Sequence, residues 1–363
     1  MTSKNPWHII SIKVSKNGNA FAKARLDIEK LAINHGMKPL YFKTGISAEG
    51  KIWAKITLAL QGILNCLRIC RLEKNAVIFV QYPLQPSKSV YLFNGIFALL
   101  KKLKGYRYVA LIHDLDSLRG LGGRTGRYSD VVFLKKFDVM ICHNERMRDY
   151  LIEQGIAPDR LVTLGLFDYL YDEAPLPAER VYSPSINIAA NLSPEKSGYV
   201  YCLAEGPERD YTLHLYGLNY TPRPDAARYI HYHGVVAAEK LREVMEGCFG
   251  LVWDGNIIST CSGGYGEYMR YNNPHKVSLY LSCGLPVIIW KEAALAPFIV
   301  KNNLGIAITS LNELEDILCA MNKERYNFLV EHVMVVAREI MDGGFFYAAL
   351  DKVVKKLEAY TLG

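Results

Sequence analysis

Residues 271–290 read Tyr271-Asn-Asn-Pro-His-Lys-Val-Ser-Leu-Tyr-Leu-Ser-Cys-Gly-Leu-Pro-Val-Ile-Ile-Trp290 and combine a helix start, a helix, a break and an apolar run. Asn272 and Asn273 favour the N-cap position, and Pro274 suits the first helical position, where its missing N–H would have no partner. A glycine ends the helical pattern, and Val287-Ile-Ile289 is typical of a parallel strand covered on both faces. The stretch therefore predicts a helix that leads into a buried strand.

Two polar residues lie in the first turn of this helix, Lys276 and Ser278. A lysine there is unfavourable for the helix itself, because the first turn carries the positive end of the dipole. An anionic ligand would remove that conflict, since helix N-termini bind phosphate and the lysine adds a point charge. The alternative is a solvated lysine near a helix start.

The order Asn-Asn-Pro-His-Lys, helix, Gly-Leu-Pro-Val-Ile resembles the donor-diphosphate segment of a group of bacterial sugar transferases. This group includes the accessory glucosyltransferases that add the second sugar to serine-rich-repeat adhesins, and the O-antigen β-1,6-galactofuranosyltransferases. The resemblance implies that Lys276 contacts the pyrophosphate of a UDP-sugar. We expect Asn272, Asn273 and Ser278 to belong to the same donor site.

The composition is that of a globular protein, with 363 residues of which 50% are hydrophobic. This length is sufficient for two domains. No apolar run reaches the roughly 18–20 residues of a membrane span, and the N-terminus has no apolar segment of signal-peptide length, so a cytoplasmic protein is expected. The eight cysteines show no zinc spacing, which predicts reduced thiols and no metal site or cofactor.

The formal net charge is +7, and part of it is clustered beside apolar stretches. Basic residues occur in 99–107, after the apolar stretch 90–100, and in 68–74, after a second one that begins near Trp53. Such segments suit peripheral contact with the anionic inner membrane surface. The alternative is a pair of core helices whose basic C-terminal ends complement the dipole. No basic stripe interleaved with aromatic residues is visible, so no nucleic-acid partner is expected.

The chain alternates strands and helices twice, which predicts an α/β protein with two largely parallel sheets. A stretch rich in proline and polar residues, 172–185, separates the halves. We predict an N-terminal acceptor domain (1–180), a nucleotide-sugar domain (181–342) and a C-terminal helix (343–363). The predicted strands are Trp7–Val14, Ala76–Val80, Tyr106–Ile112, Asp138–Cys142, Leu161–Thr163, Ile186–Ala190, Thr212–Tyr216, Tyr229–His233, Phe249–Trp253, Val287–Ile289 and Leu304–Ile308. A helix is predicted over Ala237–Glu246, and a mobile glycine-rich loop over Ser259–Arg270.

Two Rossmann-like halves facing a cleft form the GT-B glycosyltransferase architecture, in which the last helix commonly crosses back to the first domain. The resemblance spans nearly the whole chain and includes His113–Arg119, Ala190–Ser193, Leu215–Gly217, Phe249–Gly255 and Ala296–Val300. It also implies that the segment Gly18–Asp27 faces the cleft. Gly18, Asn19 and Arg119 are the predicted acceptor-binding residues.

The predicted reaction is transfer of a hexosyl group, galactofuranose or glucose, from a UDP-sugar to a hydroxyl of a glycan acceptor. Lys276 and the helix N-terminus would stabilise the charge on the leaving UDP without a metal. By resemblance, Tyr216 and Gly217 contact the uracil or ribose, with Asn191 and Asp254 nearby at strand ends. The alternatives are that Tyr216 only fills the strand and that Asp254 only forms a turn.

Inversion of the anomeric centre, which the resemblance suggests, requires a general base. The candidates are Asp114 and Asp116, with His113 third. Alternatively, Asp114 caps a short helix and Asp116 pairs with Arg119. The triplet Asp114-Leu-Asp116 matches a metal-binding pattern of the other large transferase fold, which has one nucleotide-binding half and does not fit two tandem units.

A second hypothesis is a non-catalytic GT-B-like partner or chaperone subunit of a glycosylation complex, although such a subunit has no need of a pyrophosphate lysine. A nucleotide-sugar epimerase would need an acid and a base around the sugar, and we cannot place such a pair in the sequence. The acceptor glycan could be linked to lipid or to protein. The resemblance also suggests a homo-oligomer.

Overall fold

The computed structural model describes residues 5–12, 20–42, 51–84, 90–119, 130–171, 180–222 and 228–362. The chain divides into two compact units, one of residues 1–17, 25–164 and 346–363 and one of residues 18–24 and 165–345. That the chain folds as separate domains with the bounds 1–180, 181–342 and 343–363 stays a prediction. No helix in the described ranges is long and apolar enough to cross a membrane.

The first unit contains a parallel sheet, six-stranded over the described residues, with the strand order β2-β1-β3-β4-β5-β6. Its central strands are buried at nearly every position, as expected for strands covered by helices on both faces. The elements are β1 (Trp7–Ile12), α1 (Ala20–Asn34), β2 (Lys38–Phe42), α2 (Lys51–Cys70), β3 (Val77–Tyr82), α3 (Val90–Lys104), β4 (Arg107–Ile112), α4 (Asp130–Leu134), β5 (Val139–Cys142), α5 (Glu145–Glu153) and β6 (Leu161–Thr163).

The second unit repeats this design with a parallel sheet of order β12-β11-β10-β7-β8-β9, again six strands in the described residues. Its elements are β7 (Ser185–Ala189), α6 (Pro194–Glu205), β8 (Thr212–Tyr216), β9 (Ile230–Tyr232), α7 (Leu241–Val244), β10 (Phe249–Val252), α8 (Gly263–Tyr268), α9 (His275–Ser282), β11 (Val287–Trp290), α10 (Ala296–Lys301), β12 (Gly305–Ile308), a 3-10 turn (Leu311–Glu313), α11 (Leu314–Cys319) and α12 (Lys323–Asp342).

The C-terminal helix α13 (Gly344–Leu362) belongs from residue 346 onward to the first unit. Helix α12 ends at Asp342 and is capped by Gly343, whose φ of 80° is the left-handed conformation that glycine adopts without strain. In the first unit, the Phe346 ring meets Phe79 edge-on at 5.9 Å, and Tyr347 stacks on His35 at 5.3 Å. The predicted return of the last helix is confirmed.

Three local features differ from the sequence expectation. The strand β2 was not predicted, because Lys38-Pro-Leu-Tyr-Phe42 is a partly exposed edge strand containing proline. The helix predicted over 237–246 shrinks to the four residues of α7, and at its C-terminal end the carbonyls of Val244 and Met245 accept hydrogen bonds from Tyr216 and Arg180. The loop predicted over 259–270 contains the short helix α8.

Candidate donor site and carboxylate cluster

Helix α9 packs on the sheet of the second unit through a tyrosine–glycine contact. A Cβ on Gly250 of β10 would lie 2.1 Å from the ring of Tyr280, so only glycine lets this ring lie flat on the strand. The Tyr280 hydroxyl also accepts a hydrogen bond of 2.8 Å from the N–H of Ala189 in β7. Helix α9 is thereby fixed over the two neighbouring strands.

The end of α9 is a Schellman motif, as its glycine predicted. Gly284 has φ +74°, its N–H donates to Leu281 O, and the N–H of Leu285 donates to Tyr280 O, both at 2.9 Å. The chain then enters β11 directly. The predicted succession of helix, break and buried strand is confirmed.

The start of α9 differs from the prediction by one residue. The N-cap is Pro274, with extended backbone and no capping side chain, and the helix begins at His275. Assigning the N-cap to Asn272 or Asn273 was therefore wrong, because the proline sits outside the helix. The amide of Asn273 instead donates to Gly165 O at 2.7 Å, whereas the Asn272 Oδ1 is buried without a hydrogen-bond partner in the described chain.

Lys276 reaches from the first turn of α9 to the end of β10. Its ammonium donates to Trp253 O at 2.9 Å and to Asp254 Oδ1 at 2.8 Å. The exposed fractions of the Lys276 and Asp254 side chains are 11% and 9%, so this is a nearly buried ion pair. An ammonium has three N–H donors, and these two bonds leave one for a ligand. Lys276 and Asp254, which were predicted separately as donor-site residues, thus form one ion pair.

Asp254 and Asn191 follow β10 and β7, the two neighbouring strands between which the strand order reverses. In open α/β sheets, ligands bind outside the carboxyl ends of strands at such a switch point. The Asn191 Oδ1 accepts from Ser193 N at 3.1 Å and from Asn219 Nδ2 at 2.8 Å. Asn191 therefore joins the loops after β7 and β8, and its predicted nucleotide contact stays a prediction.

The predicted nucleotide residues Tyr216 and Gly217 end strand β8. Tyr216 is 1% exposed, its hydroxyl donates to Val244 O at 2.9 Å, and burial raises its pKa to about 12. At Gly217 the φ is +146°, and a Cβ there would lie 1.8 Å from Ala190 O, so this backbone approach requires glycine. Tyr216 is therefore a core side chain. Of these two residues, it is the backbone of Gly217 that lies at the sheet edge.

Ser278 lies on the buried side of α9, with 1% of its surface exposed.

The segment before α9 is held by contacts of its own side chains. The Arg270 guanidinium pairs with Glu267 and Glu292 and lies 4.6 Å from the Trp290 ring centroid. The ammonium of Lys196 lies 5.0 Å from the ring centroid of Tyr265 in α8. Ordering of this segment over a nucleotide stays a prediction.

In the first unit, the predicted base candidates cluster just past the carboxyl end of β4. Asp114 accepts from Arg119 Nη1 at 3.0 Å, and Asp116 lies 3.8 Å from the same guanidinium. His113 is buried and its Nε2 lies 2.8 Å from Gln81 Oε1. The pairing of Asp116 with Arg119 matches the structural alternative, although it is the looser of the two contacts.

Asp116 differs from Asp114 in its electrostatic surroundings. Its pKa is raised above the ordinary value by burial and then by the nearby Asp130, while Arg119 opposes the rise. Asp130 is itself held by Ser117 N at 2.8 Å and by the hydroxyl of Tyr82. A raised pKa is what a carboxylate needs to act as a general base near neutral pH.

Two buried basic residues of α1 were not predicted as functional individually. In the first unit, Arg25 donates to Pro83 O at 2.6 Å and to Gln81 O at 3.2 Å, and burial lowers its pKa to about 10, with Asp114 opposing. In the second unit, Lys23 donates to Leu170 O at 2.6 Å. The predicted acceptor residues Gly18 and Asn19 lie outside the described residues.

Comparison with known proteins gives a family for both halves of the chain. Residues 7–166 match the model of the glucosyltransferase 3-like N-terminal domain, and residues 186–353 match that of the C-terminal domain. The β-1,6-galactofuranosyltransferase WbbI of Escherichia coli K12 is 36% identical over 293 residues, which cover 80% of this chain and 82% of that protein. The chain belongs to the glucosyltransferase 3-like family.

Two further similarities agree with this assignment. Glucosyltransferase 3 of Streptococcus gordonii is 25% identical over 257 residues, covering 70% of this chain and 72% of that protein. The fold matches the structure of Anabaena HepE in complex with UDP and glucose, with a TM-score of 0.60. This match is 13% identical, covers 98% of this chain and 100% of the other, and shows the fold alone. The predicted family, GT-B fold and glycosyltransferase class are confirmed.

Proposed function

We propose that this glucosyltransferase 3-like protein transfers galactofuranose from UDP-galactofuranose to a hydroxyl of a glycan acceptor. The observation that carries the proposal is the Lys276–Asp254 pair, placed at the switch point of the second sheet and at the start of α9. The relative of highest identity given above is a galactofuranosyltransferase, which favours this sugar over glucose.

Lys276 has the position and the remaining N–H donor to contact the pyrophosphate of the donor. Asp254 and Trp253 O hold its ammonium in one orientation before the nucleotide arrives. Such preorganised charge stabilises a leaving group more effectively than a side chain that must reorient. We propose that Lys276 and the α9 N-terminus supply the stabilisation of leaving UDP, so that transfer needs no divalent metal.

Asp116 is the proposed general base, and the reaction inverts the anomeric centre. Asp114 is the weaker candidate because its carboxylate already accepts a hydrogen bond of 3.0 Å from Arg119. Arg119 would hold both carboxylates near the acceptor hydroxyl. His113 is buried against Gln81 and is the third candidate.

The acceptor is proposed to be presented at an anionic membrane surface, which α2 would contact. An apolar face of α2 is exposed in the described chain at heptad spacing, with Trp53, Leu60 and Leu67 exposed to 66%, 56% and 47%. Ile56, Ile63 and Leu64 widen this face. These side chains are exposed, which counts against the alternative that α2 is only a core helix.

Basic residues accompany this apolar face. Arg71 and Lys74 are exposed just after α2, and the neighbouring α3 ends with exposed Leu99, Lys102 and Leu103. Each basic residue near an anionic surface contributes about 1 kcal/mol to binding. Peripheral membrane binding by this face is therefore the proposed mode, and a homo-oligomer through the same face is the competing outcome.

Vesicle co-sedimentation separates these outcomes. The variant Leu60→Glu/Leu67→Glu should lose at least about tenfold in affinity for phosphatidylglycerol vesicles, because two apolar side chains no longer bury. Val335→Glu, at an exposed apolar position of α12, is the matched control and should bind as the wild type does. A variant that becomes monomeric while its vesicle binding is unchanged would instead show a subunit interface.

The transferase proposal is tested by incubating the purified protein with UDP-galactofuranose or UDP-glucose and a synthetic glycan acceptor. Mass spectrometry should detect a product from UDP-galactofuranose that persists in excess EDTA. NMR of the product should show the inverted anomer. Failure of both donors, or a requirement for a divalent metal, would count against the proposal.

A further inference from the structure

Three side chains with metal-ligating atoms meet on the second unit: His214 of β8, His233 just after β9, and Glu246 between α7 and β10. One ligand atom from each lies within 4.8 Å of the other two. His214 Nδ1 lies 3.0 Å from His233 Nε2 and 3.7 Å from Glu246 Oε2. Within the described residues, these three side chains are the ones whose ligand atoms lie close enough together to hold an ion.

These separations fit a tetrahedral ion. Zinc lies about 2.0–2.2 Å from nitrogen and oxygen ligands, which places two tetrahedral ligand atoms roughly 3.3–3.5 Å apart. The two measured distances from His214 Nδ1 lie on either side of that separation. The ligand atoms of His233 and Glu246 lie within 4.8 Å of each other, so rotation of these side chains would bring all three atoms to the tetrahedral separation.

One buried residue holds two of the three ligands in place. The ring of Tyr216 stacks on His233 with a centroid distance of 4.6 Å and an angle of 8°. The Tyr216 hydroxyl accepts the backbone N–H of Glu246 at 3.2 Å. His233 is also anchored by its N–H, which donates to Leu215 O at 2.9 Å. A ligand set supported by packed neighbours is preorganised for a metal.

One edge of this ligand group is open to solvent. The Glu246 side chain is 62% exposed, which gives an ion a route from solvent.

We propose that His214, His233 and Glu246 form a Zn²⁺ site with two nitrogen ligands, one carboxylate oxygen and a fourth position open to water. Three protein ligands and an open position are the arrangement seen in zinc sites that bind water or another small ligand. The site uses neither Lys276 nor Asp254, so it is independent of the proposed transfer reaction. It departs from the sequence expectation of no metal site, because its histidines are 19 residues apart and meet only across β8 and β9.

The test is a calorimetric titration of tag-free, chelator-treated protein with Zn²⁺. We expect one equivalent to bind, and His233→Ala and Glu246→Gln should each weaken it by about 100-fold, since loss of even an outer partner of a metal ligand costs 10–100-fold. His231→Ala is the matched control, because His231 stacks on His214 at 5.6 Å but lies outside the ligand group. Both ligand variants change partly exposed side chains, and their unfolding midpoints without metal verify that they fold.

Co²⁺ provides a second readout on the same proteins. Tetrahedral d–d bands that disappear in both ligand variants would support the site. Equal Zn²⁺ affinity in the wild type and in both variants would overturn it. A thiolate-to-cobalt charge-transfer band would also overturn it, because it would place the ion on a cysteine.

Discussion

The carboxyl edges of the two sheets each carry a basic side chain paired with a carboxylate, and the two pairs differ in burial. In the second unit, Lys276 and Asp254 are 11% and 9% exposed and 2.8 Å apart. In the first unit, Arg119 lies 3.0 Å from Asp114 and 3.8 Å from Asp116, with exposed fractions of 23%, 19% and 32%. One edge holds a fixed cation, and the other holds carboxylates that solvent or an acceptor can reach.

This difference indicates which charge each edge offers to a substrate. The buried pair fixes an ammonium for an anionic ligand, and Asp254 acts as its positioning partner. Arg119, Asp114 and Asp116 form what we call the open cluster. In it Arg119 interacts with both carboxylates, and its interaction with Asp116 is the weaker one. The proposed division of labour is donor diphosphate at the second sheet and acceptor deprotonation at the first.

The largest expected effect is on the open cluster. Asp116→Asn should lower kcat by about 10²–10⁴-fold, the usual contribution of a general base, with UDP-sugar affinity nearly unchanged. Asp114→Asn, the matched control, should cost less. Steady-state kinetics and donor titrations measure both, and a larger loss for Asp114→Asn would move the role of base to Asp114.

The pH profile sharpens the same assignment. Because the pKa of Asp116 is raised by burial and by Asp130, the base stays protonated, and hence inactive, up to a higher pH than an ordinary aspartate. Activity should therefore fall as pH decreases through that raised pKa. Asp130→Asn removes a negative neighbour and should shift the acid limb of kcat/KM to lower pH. An acid limb that stays in place would exclude this coupling.

The next effect concerns the buried pair. Lys276→Met leaves the Asp254 carboxylate without its cation, and breaking a buried pair from one side costs about 3–5 kcal/mol of unfolding free energy. Lys276→Met/Asp254→Asn removes both charges and should regain most of this loss. Urea unfolding of the second unit measures this loss of unfolding free energy. A loss below about 1 kcal/mol for the single variant would show that water solvates the pair.

The smallest effect is expected for the same type of change in the first unit. Arg119→Gln should alter the unfolding free energy by less than about 1 kcal/mol, because a partly exposed pair gains little over its hydrated charges. The comparison with Lys276→Met uses the same urea assay. Equal losses for both variants would mean that burial does not distinguish the two edges.

Much of the fold followed from local sequence. The strands Thr212–Tyr216 and Leu161–Thr163 are bounded as predicted, because short apolar runs between polar turns specify buried strands. The glycine after α9 also fixed the end of that helix. The edge strand Lys38–Phe42 escaped prediction, since half-exposed strands lack a continuous apolar run.

The candidate site was less predictable, because its contacts are tertiary. Lys276 and Asp254 were both placed in the donor site, yet their ion pair joins residues 22 apart and no periodicity reports it. Tyr216 was expected at the nucleotide, but its hydroxyl donates to Val244 O at the end of α7, a contact that only the fold reveals. The raised pKa of Asp116 likewise depends on Asp130, which comes from a later helix.

The assignment of the donor site to Lys276 is tested most directly by a calorimetric titration of the protein with UDP, GDP and TDP in the presence of EDTA. We expect UDP to bind selectively, and Lys276→Met/Asp254→Asn, the folded variant without the pair, to lose about 10–100-fold in affinity, as expected for a hydrogen bond to a charged group. Asn322→Ala, at the N-cap of α12, is a control for moderate destabilisation and should bind UDP normally. Equal binding of UDP by the double variant, or no nucleotide binding by the wild type, would contradict the assignment of the donor site to Lys276.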